Sequence, residues 1–494
     1  MSSQRTIARR ILTAAVLGLL LAGCAAVPQP ARSPHLGAAD PLGRCAVLFA
    51  SLDERALRAD ALDGGSFRVE GHPYLRVDRF LASFRGEALE GRSFDAWVDR
   101  MQALDLGARR NELANSAAAG AAADADAALL REAAACGDRM KAVDFASAER
   151  RAAFRERLNA PSEYIPTRRV LGIYPVVSLF VSAGVSDWHA EARREFSNEP
   201  PPDPPRVRYA PTEGADPAAA ARIVATAARD ALGVPVYDEA ALEALFRRHA
   251  PVWLVRTATD DDRIGTPFWG RDGEIGVDAA RPTVYTRPSF TRFGADVLTQ
   301  LNFVVWFPAR PRTNALDIYG GRLDGINFRV TLDVDGAPLL YEKIHNCGCY
   351  YTAYPLGRLR PQAVSGCAEK PLILPPPVLD GARPALALES GTHYVNRFFA
   401  ENVAGPATAV PLAFAPYERL LSLPTPEGGR RSMFAPDGIA PGTDRLERFI
   451  LWPTGVASPG AMRQWGRHAV AFVGERHFDD PFALDRLFVR VGAP

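Results

Sequence analysis

Asp324, His345, Cys347 and Cys349 are the residues whose types and spacing could do chemistry in this chain. A carboxylate, an imidazole and two thiols are ligands that suit zinc or copper, and Cys367 could complete the set. The same groups fit two other roles. Cys347 or Cys349 could be bonded to Cys367 in a structural disulfide, or one thiol could be a nucleophile activated by His345. In a straight strand, side chains two positions apart lie about 7 Å from each other, too far to share one metal ion, so Gly348 would have to bend the chain to bring Cys349 in. The expectation is the disulfide, taken as Cys349 with Cys367, and no bound cofactor; the alternative is a zinc or copper site on Asp324, His345, Cys347 and Cys349.

The element that must position these groups is a hairpin. Phe328, Val330 and Leu332 alternate with Arg329, Thr331 and Asp333, and Asp335-Gly336 is the pair that a two-residue reversing turn wants. Closing that turn sets Val334 opposite Ala337, Leu332 opposite Leu339 and Val330 opposite Tyr341, with Arg329 meeting Glu342 on the other face. Carried outward, the register places Ile326 opposite His345 and Asp324 opposite Cys347.

Other clusters read as structural. Glu475, His477 and Asp479 share a face of an extended segment near His468, but Asp479-Asp480-Pro481 is a helix start. Asp260-Asp261-Asp262 lacks the alternate spacing of a calcium loop and reads as solvated. Aromatic pairs such as Phe268-Trp269, Tyr350-Tyr351 and Phe398-Phe399 are core, or else line a glycan-binding groove. The Gly-x-Ser-x-Gly elbow, the His-Glu-x-x-His helix and the phosphate- and dinucleotide-binding glycine motifs are missing. Whether the chain is an enzyme is left open, and the leading expectation is a non-catalytic binding or structural protein.

The first two dozen residues carry an address. Arg5, Arg9 and Arg10 open a basic start, Ile11 to Leu21 is apolar but too short to span a bilayer, and Leu21-Ala22-Gly23-Cys24 closes it. This segment resembles the signal peptide and lipobox of bacterial lipoproteins. The resemblance implies a diacylglyceryl group on Cys24, acylation of the new amino terminus, and attachment to an envelope membrane. Ala25, where inner-membrane lipoproteins tend to carry Asp, points to the periplasmic face of the outer membrane. The expected partners are therefore the membrane, through lipid, and an envelope protein or glycan.

Of the six cysteines, five remain after Cys24, and in an oxidising periplasm disulfides persist. Cys45 and Cys136 lie in a helical region and are expected to pair. With 58 Lys+Arg against 57 Asp+Glu the net charge is +1, and no basic run with interleaved aromatics marks a nucleic-acid surface, so nucleic acid is excluded as a partner.

The length calls for more than one domain. Residues 1–23 are the signal peptide and 24–40, with Pro28, Pro30 and Pro34, an extended tether. Residues 41–160 form a helical bundle, with one helix expected to stop at Gly107 and another at Gly137. Residues 161–250 connect through the apolar run Val170 to Val185, a proline-rich stretch and a helical pair capped by Asp216 and Asp238. Residues 251–494 form a larger domain, with strands expected over Val297 to Phe307 and near Ala385 to Glu389, Phe449 to Trp452 and Ala469 to Val473. The fold class is α+β: an N-terminal helical bundle, then a mainly antiparallel, sandwich-like β-rich domain with helical insertions.

Overall fold

In α1 (Pro41–Arg58) the chain starts as its residues dictate, with Asp40 Oδ1 accepting Gly43 N at 2.8 Å and proline in the first turn. The computed structural model describes residues 31–117, 123–202, 206–211, 216–363, 368–401 and 409–492; Cys24, the expected signal segment and Cys367 lie outside them. After α1 come the hairpin β1 (Phe67–Val69) and β2 (His72–Val77), the one-turn α2 (Arg79–Ala82), α3 (Arg92–Ser116), α4 (Ala123–Asp144) and α5 (Ala148–Arg157). The Cys45–Cys136 disulfide ties α1 to α4 with α-carbons 5.3 Å apart, as expected.

Helices α3 and α4 run through Gly107 and Gly137, where stops were expected. Past Gly107 the buried residues include Arg109 and Glu112, which with Arg76, Asp53 and Asp105 form an ionic core. Arg76 Nη2 lies 2.6 Å from Glu112 Oε1, Arg109 Nε 2.7 Å from Asp105 Oδ2, and Arg109 Nη1 2.9 Å from Asp53 Oδ1. Arg68 also pairs with Asp53. A helix whose inner face is charged carries no apolar period to extend. Gly137 lies against the side chain of Gln102 on α3, whose Nε2 a Cβ would meet at 2.5 Å. Residues 31–40, expected as free tether, dock instead: His35 Nε2 lies 2.7 Å from Asp144 Oδ1.

The apolar run folds as α6 (Pro166–Leu171) and α7 (Tyr174–Glu195). Next come β3 (Arg206–Ala210), α8 (Pro217–Ala225) and α9 (Glu239–His249), the two helices capped by Asp216 and Asp238 as expected. Strands follow: β4 (Val252–Arg256), β5 (Thr266–Trp269), β6 (Ile275–Asp278), β7 (Thr283–Phe293), β8 (Asp296–Arg310), β9 (Gly321–Leu332), β10 (Pro338–His345), β11 (Thr352–Pro355) and β12 (Leu359–Pro361). Then come β13 (Leu372–Ile373), β14 (Arg383–Leu388), β15 (Val395–Glu401), β16 (Val410–Pro411) and β17 (Ala413–Pro416), with short strands at Leu423–Pro424, Arg430–Arg431 and Phe488–Arg490 after them. One sheet runs β13-β11-β10-β9-β8-β7-β17 and another β15-β14-β4-β3-β16. Between them lies a shared core, with Leu301, Phe303, Phe328 and Tyr341 from the first meeting Trp253, Leu386 and Phe398 from the second. The two sheets thus pack face to face, which is the sandwich-like arrangement expected.

The β9–β10 hairpin has the expected register along most of its length: Val330 faces Tyr341, Arg329 faces Glu342, and Ile326 faces His345. Its end differs. Asp333 N donates to Ala337 O, so the reversal takes three residues, closed by Gly336 at φ 80. The extra residue is absorbed by a bulge at Leu339, whose side chain joins the cluster containing Leu340 and Ile344 and does not face Leu332. Arg329 and Glu342 make a buried two-pronged pair at 2.7 Å each, with Tyr351 Oη donating to the same carboxylate.

That face is covered by the end of the chain. Phe478 O accepts from Arg329 Nη1 at 2.5 Å and its ring lies 3.7 Å from the guanidinium carbon. Pro481 O accepts from Arg292 N, while Asp479 and Gly466 O hold Arg79 and Gln464 reaches Asp63. The C-terminal segment is wedged between the helical region and the sheet. Within it, Phe449 to Trp452, expected as strand, is the helical turn α10 (Arg448–Leu451) running into Trp452–Thr454, and Ala469 to Val473 makes one bridge, Ala469 to His477. Near the terminus, α11 (Ala483–Leu487) follows Asp480, whose Oδ1 accepts Phe482 N at 3.0 Å.

Candidate functional site

The hairpin register brings two of the four singled-out residues together. Asp324, in β9 opposite Phe307, and His345, the last residue of β10, meet with Nδ1 3.3 Å from Oδ1. Two further residues join them, each from a different part of the chain. His393 Nδ1 lies 2.8 Å from Asp324 Oδ2, and its Nε2 lies 3.4 Å from Asp262 Oδ1. All four are buried, so Asp262, His393, Asp324 and His345 form a row of alternating carboxylates and imidazoles inside the protein. His393 is held by a left-handed backbone at φ 53 and by stacking on Phe307, 4.0 Å between ring centres and 4° between planes.

The charges in the row follow from burial and pairing. Burial works against a charged His393, but its bonds to Asp262 and Asp324 outweigh that and raise its pKa. Asp324 is held well below the carboxylate range despite its burial, by the two imidazoles. Asp262 is also held down against burial, by the nearby His393 and by accepting from Gly391 N, Ser390 Oγ and Ala258 N. Its expected place in a solvated acidic run is thus corrected: Asp262 is buried and anchors the row. His345 is pushed down to about 4 by burial, stays neutral near pH 7, and its Nε2 has no partner among the described residues.

The thiols go elsewhere. After His345 the backbone turns, with Gly348 at φ 95 and so close to Ala469 that a Cβ would meet its carbonyl oxygen at 2.4 Å. The bend expected at Gly348 is present, but it carries the cysteines away from the imidazole. Cys347 packs among Trp306, Leu323 and Met462, and Cys349 packs against the same cluster. Asn346, not Cys347, meets the strand, with its N donating to Gly325 O at 2.9 Å. Among the described residues no group of three or more His, Cys, Asp or Glu is placed to hold a metal ion, so Asp324, His345, Cys347 and Cys349 do not form the ligand set considered above. Cys347 and Cys349 stand as free thiols; Cys367, the expected partner of Cys349, lies outside the described residues. The neighbouring Cys347, together with burial, raises the Cys349 thiol well above its usual range, which keeps it protonated. Beside Cys347, the fully buried Lys343 is pushed down to about 7 by burial.

Outside the row lies a half-buried group of rings around a cation. Tyr350, at φ 61, lies 4.9 Å from His345, 4.7 Å from Tyr394 and 5.3 Å from Trp188 of α7, ring centre to ring centre. Arg310, at the end of β8, sits between Tyr319 and Tyr394, its guanidinium carbon 5.5 and 5.2 Å from their ring centres. Its one hydrogen bond among the described residues is Nη2 to Tyr394 Oη at 3.4 Å, and no described carboxylate is within ion-pair distance. Glu447, which bonds to Ile318 O through its N–H, is pushed up to about 7 by burial, opposed by Arg310 and Arg445. None of these residues was singled out from the sequence as a binding group except Tyr350, noted within an aromatic pair. Arg310 follows Pro308, where the strand was expected to end, and β8 runs on to hold it.

The remaining candidates are struts. Glu475 pairs with Arg169 at 3.0 Å, Asp479 with Arg79 at 3.0 Å, His477 Nε2 accepts from Glu163 N, and His468 is buried. A cleft of about 240 Å³ between the helical region and the large sheet is lined by Arg100, Arg287, Phe290 and Trp465, but both arginines are already paired, with Asp230 and Glu418.

Adjacent to Trp188 the surface changes. From Val170 to Ser186 no residue is charged, and most of this stretch faces outward. Val170 is 78% exposed, Leu179 70% and Phe180 75%, with Leu171, Ile173 and Val176 also exposed. Helices α6 and α7 pack on the turn Trp452–Thr454, which adds exposed Trp452 and, from α10, Phe449 and Ile450. No helix among the described residues is long and apolar enough to cross a membrane. No protein-family model matches the chain, and no curated protein or solved structure resembles it closely enough to count as a relative.

Proposed function

We propose that this protein is a lipid-anchored, non-catalytic binding protein of the bacterial envelope, and that the apolar surface of α6, α7 and α10 lies against the bilayer to which Cys24 attaches it. The observation that carries this reading is that surface. Nine exposed large apolar side chains on neighbouring elements exceed what a monomer leaves to water without a purpose. Each contributes about 1 kcal/mol if half its area leaves water, so a few together suffice for reversible attachment. The occupant follows from the chain's own anchor. Six residues separate Cys24 from Ala31, a reach of about 25 Å at most, so a lipid on Cys24 keeps the folded body within touching distance of the headgroups. Trp452 is of the type that settles at that interface, and Phe180 and Phe449 of the type that inserts below it.

The test is flotation with vesicles of phosphatidylcholine, using the whole chain carrying Cys24→Ala so that no lipid anchor contributes. The expected result is that this protein floats and that adding Leu179→Ser, Phe180→Ser and Phe449→Ser leaves it at the bottom of the gradient. Equal behaviour of the two proteins overturns the reading. Self-association blocked by the same substitutions, with no flotation of either, assigns the surface to a protein partner instead.

A further inference from the structure

We propose that Arg310 and the tyrosines around it bind a phosphate group, and specifically the phosphodiester of an anionic phospholipid headgroup in the membrane beneath the apolar surface. The inference deepens the bilayer-docking reading and rests on it for the source of the phosphate, though not for the site itself.

The site is built for an anion. Arg310 is half-buried, yet among the described residues it pairs with no carboxylate, and a single long hydrogen bond to Tyr394 leaves its other donors free. A guanidinium presents those donors in a planar fork that matches phosphate oxygens. The rings of Tyr319 and Tyr394 both lie within about 6 Å of it. Asp324 lends it a favourable charge without an ion pair, being engaged by two imidazoles, and Glu447, near 7, is about half protonated at neutral pH. Hydroxyls of Tyr319, Tyr350 and Tyr394 supply further donors, because burial keeps all three protonated.

The placement points to a lipid. Tyr350 touches Trp188 of α7, and Glu447, bonded to Ile318 beside Tyr319, opens α10. The cation therefore lies where the two apolar elements meet the sheet, as a headgroup contact beside an inserted apolar face requires. With a net charge of +1, a diffuse attraction to an anionic surface is slight, so any preference for anionic lipid must be local.

The experiment measures binding of the whole Cys24→Ala chain, and of its Arg310→Gln and Arg310→Lys forms, to vesicles of phosphatidylcholine with and without phosphatidylglycerol. Melting temperature with added inorganic phosphate is measured in parallel. The expected result is a preference of about tenfold for phosphatidylglycerol, the size of one charge-assisted contact. The choline ammonium of phosphatidylcholine competes with Arg310 for the phosphate, so the preference is lost in Arg310→Gln and partly kept in Arg310→Lys. A rise in melting temperature with inorganic phosphate that needs Arg310, without any lipid preference, keeps the phosphate site and overturns the headgroup assignment. Equal lipid preference in all three proteins and no phosphate effect overturns the proposal. If none of the proteins binds vesicles but water-soluble short-chain phosphatidylglycerol binds through Arg310, the docking reading fails and the site stands.

Discussion

His393 Nδ1 lies 2.8 Å from Asp324 Oδ2, and the chain accepts a left-handed backbone at His393 to put it there. A backbone of that kind costs roughly 1–3 kcal/mol and persists only when the surroundings insist on it. Here the insistence comes from two carboxylates with one imidazole between them.

Removing the charge at the centre of the row therefore leaves two imidazoles without their anion. Asp324→Asn is expected to cost about 3–5 kcal/mol, the loss typical of breaking a buried ion pair from one side. Urea unfolding of the two proteins at pH 7 measures it, and a loss below 1 kcal/mol would show that the row is not held by Asp324.

A second expectation concerns acid. Burial pushes His249 to about 3, His345 to about 4 and His468 to about 3, against about 6.5 in an unfolded chain. Between pH 6.5 and 4 the unfolded chain binds protons at these positions and the folded one does not. Stability is thus present above 6.5 and lost as pH falls through this window, with a slope approaching about 1.4 kcal/mol per pH unit for each group. His393 is shifted the other way, so its contribution is present below 6.5 and fades above it. His249→Leu should flatten the acid slope by one proton's share. Denaturant titrations at pH 4.5, 5.5 and 6.5 decide it, and an unchanged slope in the variant contradicts the assignment.

Lys343 offers the reverse experiment, a substitution that stabilises. An amine brought from 10.5 to about 7 by burial makes the fold less stable below pH 7, and stability should climb as pH rises from 7 towards 10.5. Lys343→Met keeps the stem and removes the charge, so at pH 7 it should add stability, by at most about 5 kcal/mol, and abolish that climb. A melting temperature equal to or below that of the parent would mean that the amine has a partner worth keeping.

What could be read from the sequence was what repeats at short range. Alternation at Phe328, Val330 and Leu332 and the pairing of Arg329 with Glu342 set the hairpin, and helix caps at Asp216 and Asp238 were explicit. The turn was misjudged by one residue because a bulge at Leu339 restores the register beyond it, and nothing in the spacing announces a bulge. Helix α3 was cut short because its inner face past Gly107 is arginine and glutamate. Phe449 to Trp452, four apolar residues on the surface, is too short a run for periodicity to separate strand from helix.

The site was half legible for the same reason. Asp324 and His345 meet through one hairpin, so register finds them. Asp262, Arg310, His393 and Glu447 arrive from four separate segments, and only the packing of two sheets brings them near the same place. The thiols were grouped with the imidazole on the premise that a bend at Gly348 would draw Cys349 inward; the bend is present, but both thiols pack into the cluster of Trp306, Leu323 and Met462.

The wedge formed by the last residues of the chain bears on timing. A polypeptide made from its N-terminus delivers Gly466, Phe478, Asp479 and Pro481 last, yet these supply partners to Arg79, Arg329 and the backbone at Arg292. Until they emerge, Arg329 has Glu342 and Arg79 has Pro161 O and Glu163, but each lacks the acceptors that the C-terminal segment supplies. The helical region, already closed by its disulfide, can wait; the large sheet cannot bury its second face. Completion of synthesis is thus built into the architecture as a condition for closing it, and a chain cut short before Gly466 should persist as an open, protease-sensitive pair of bodies.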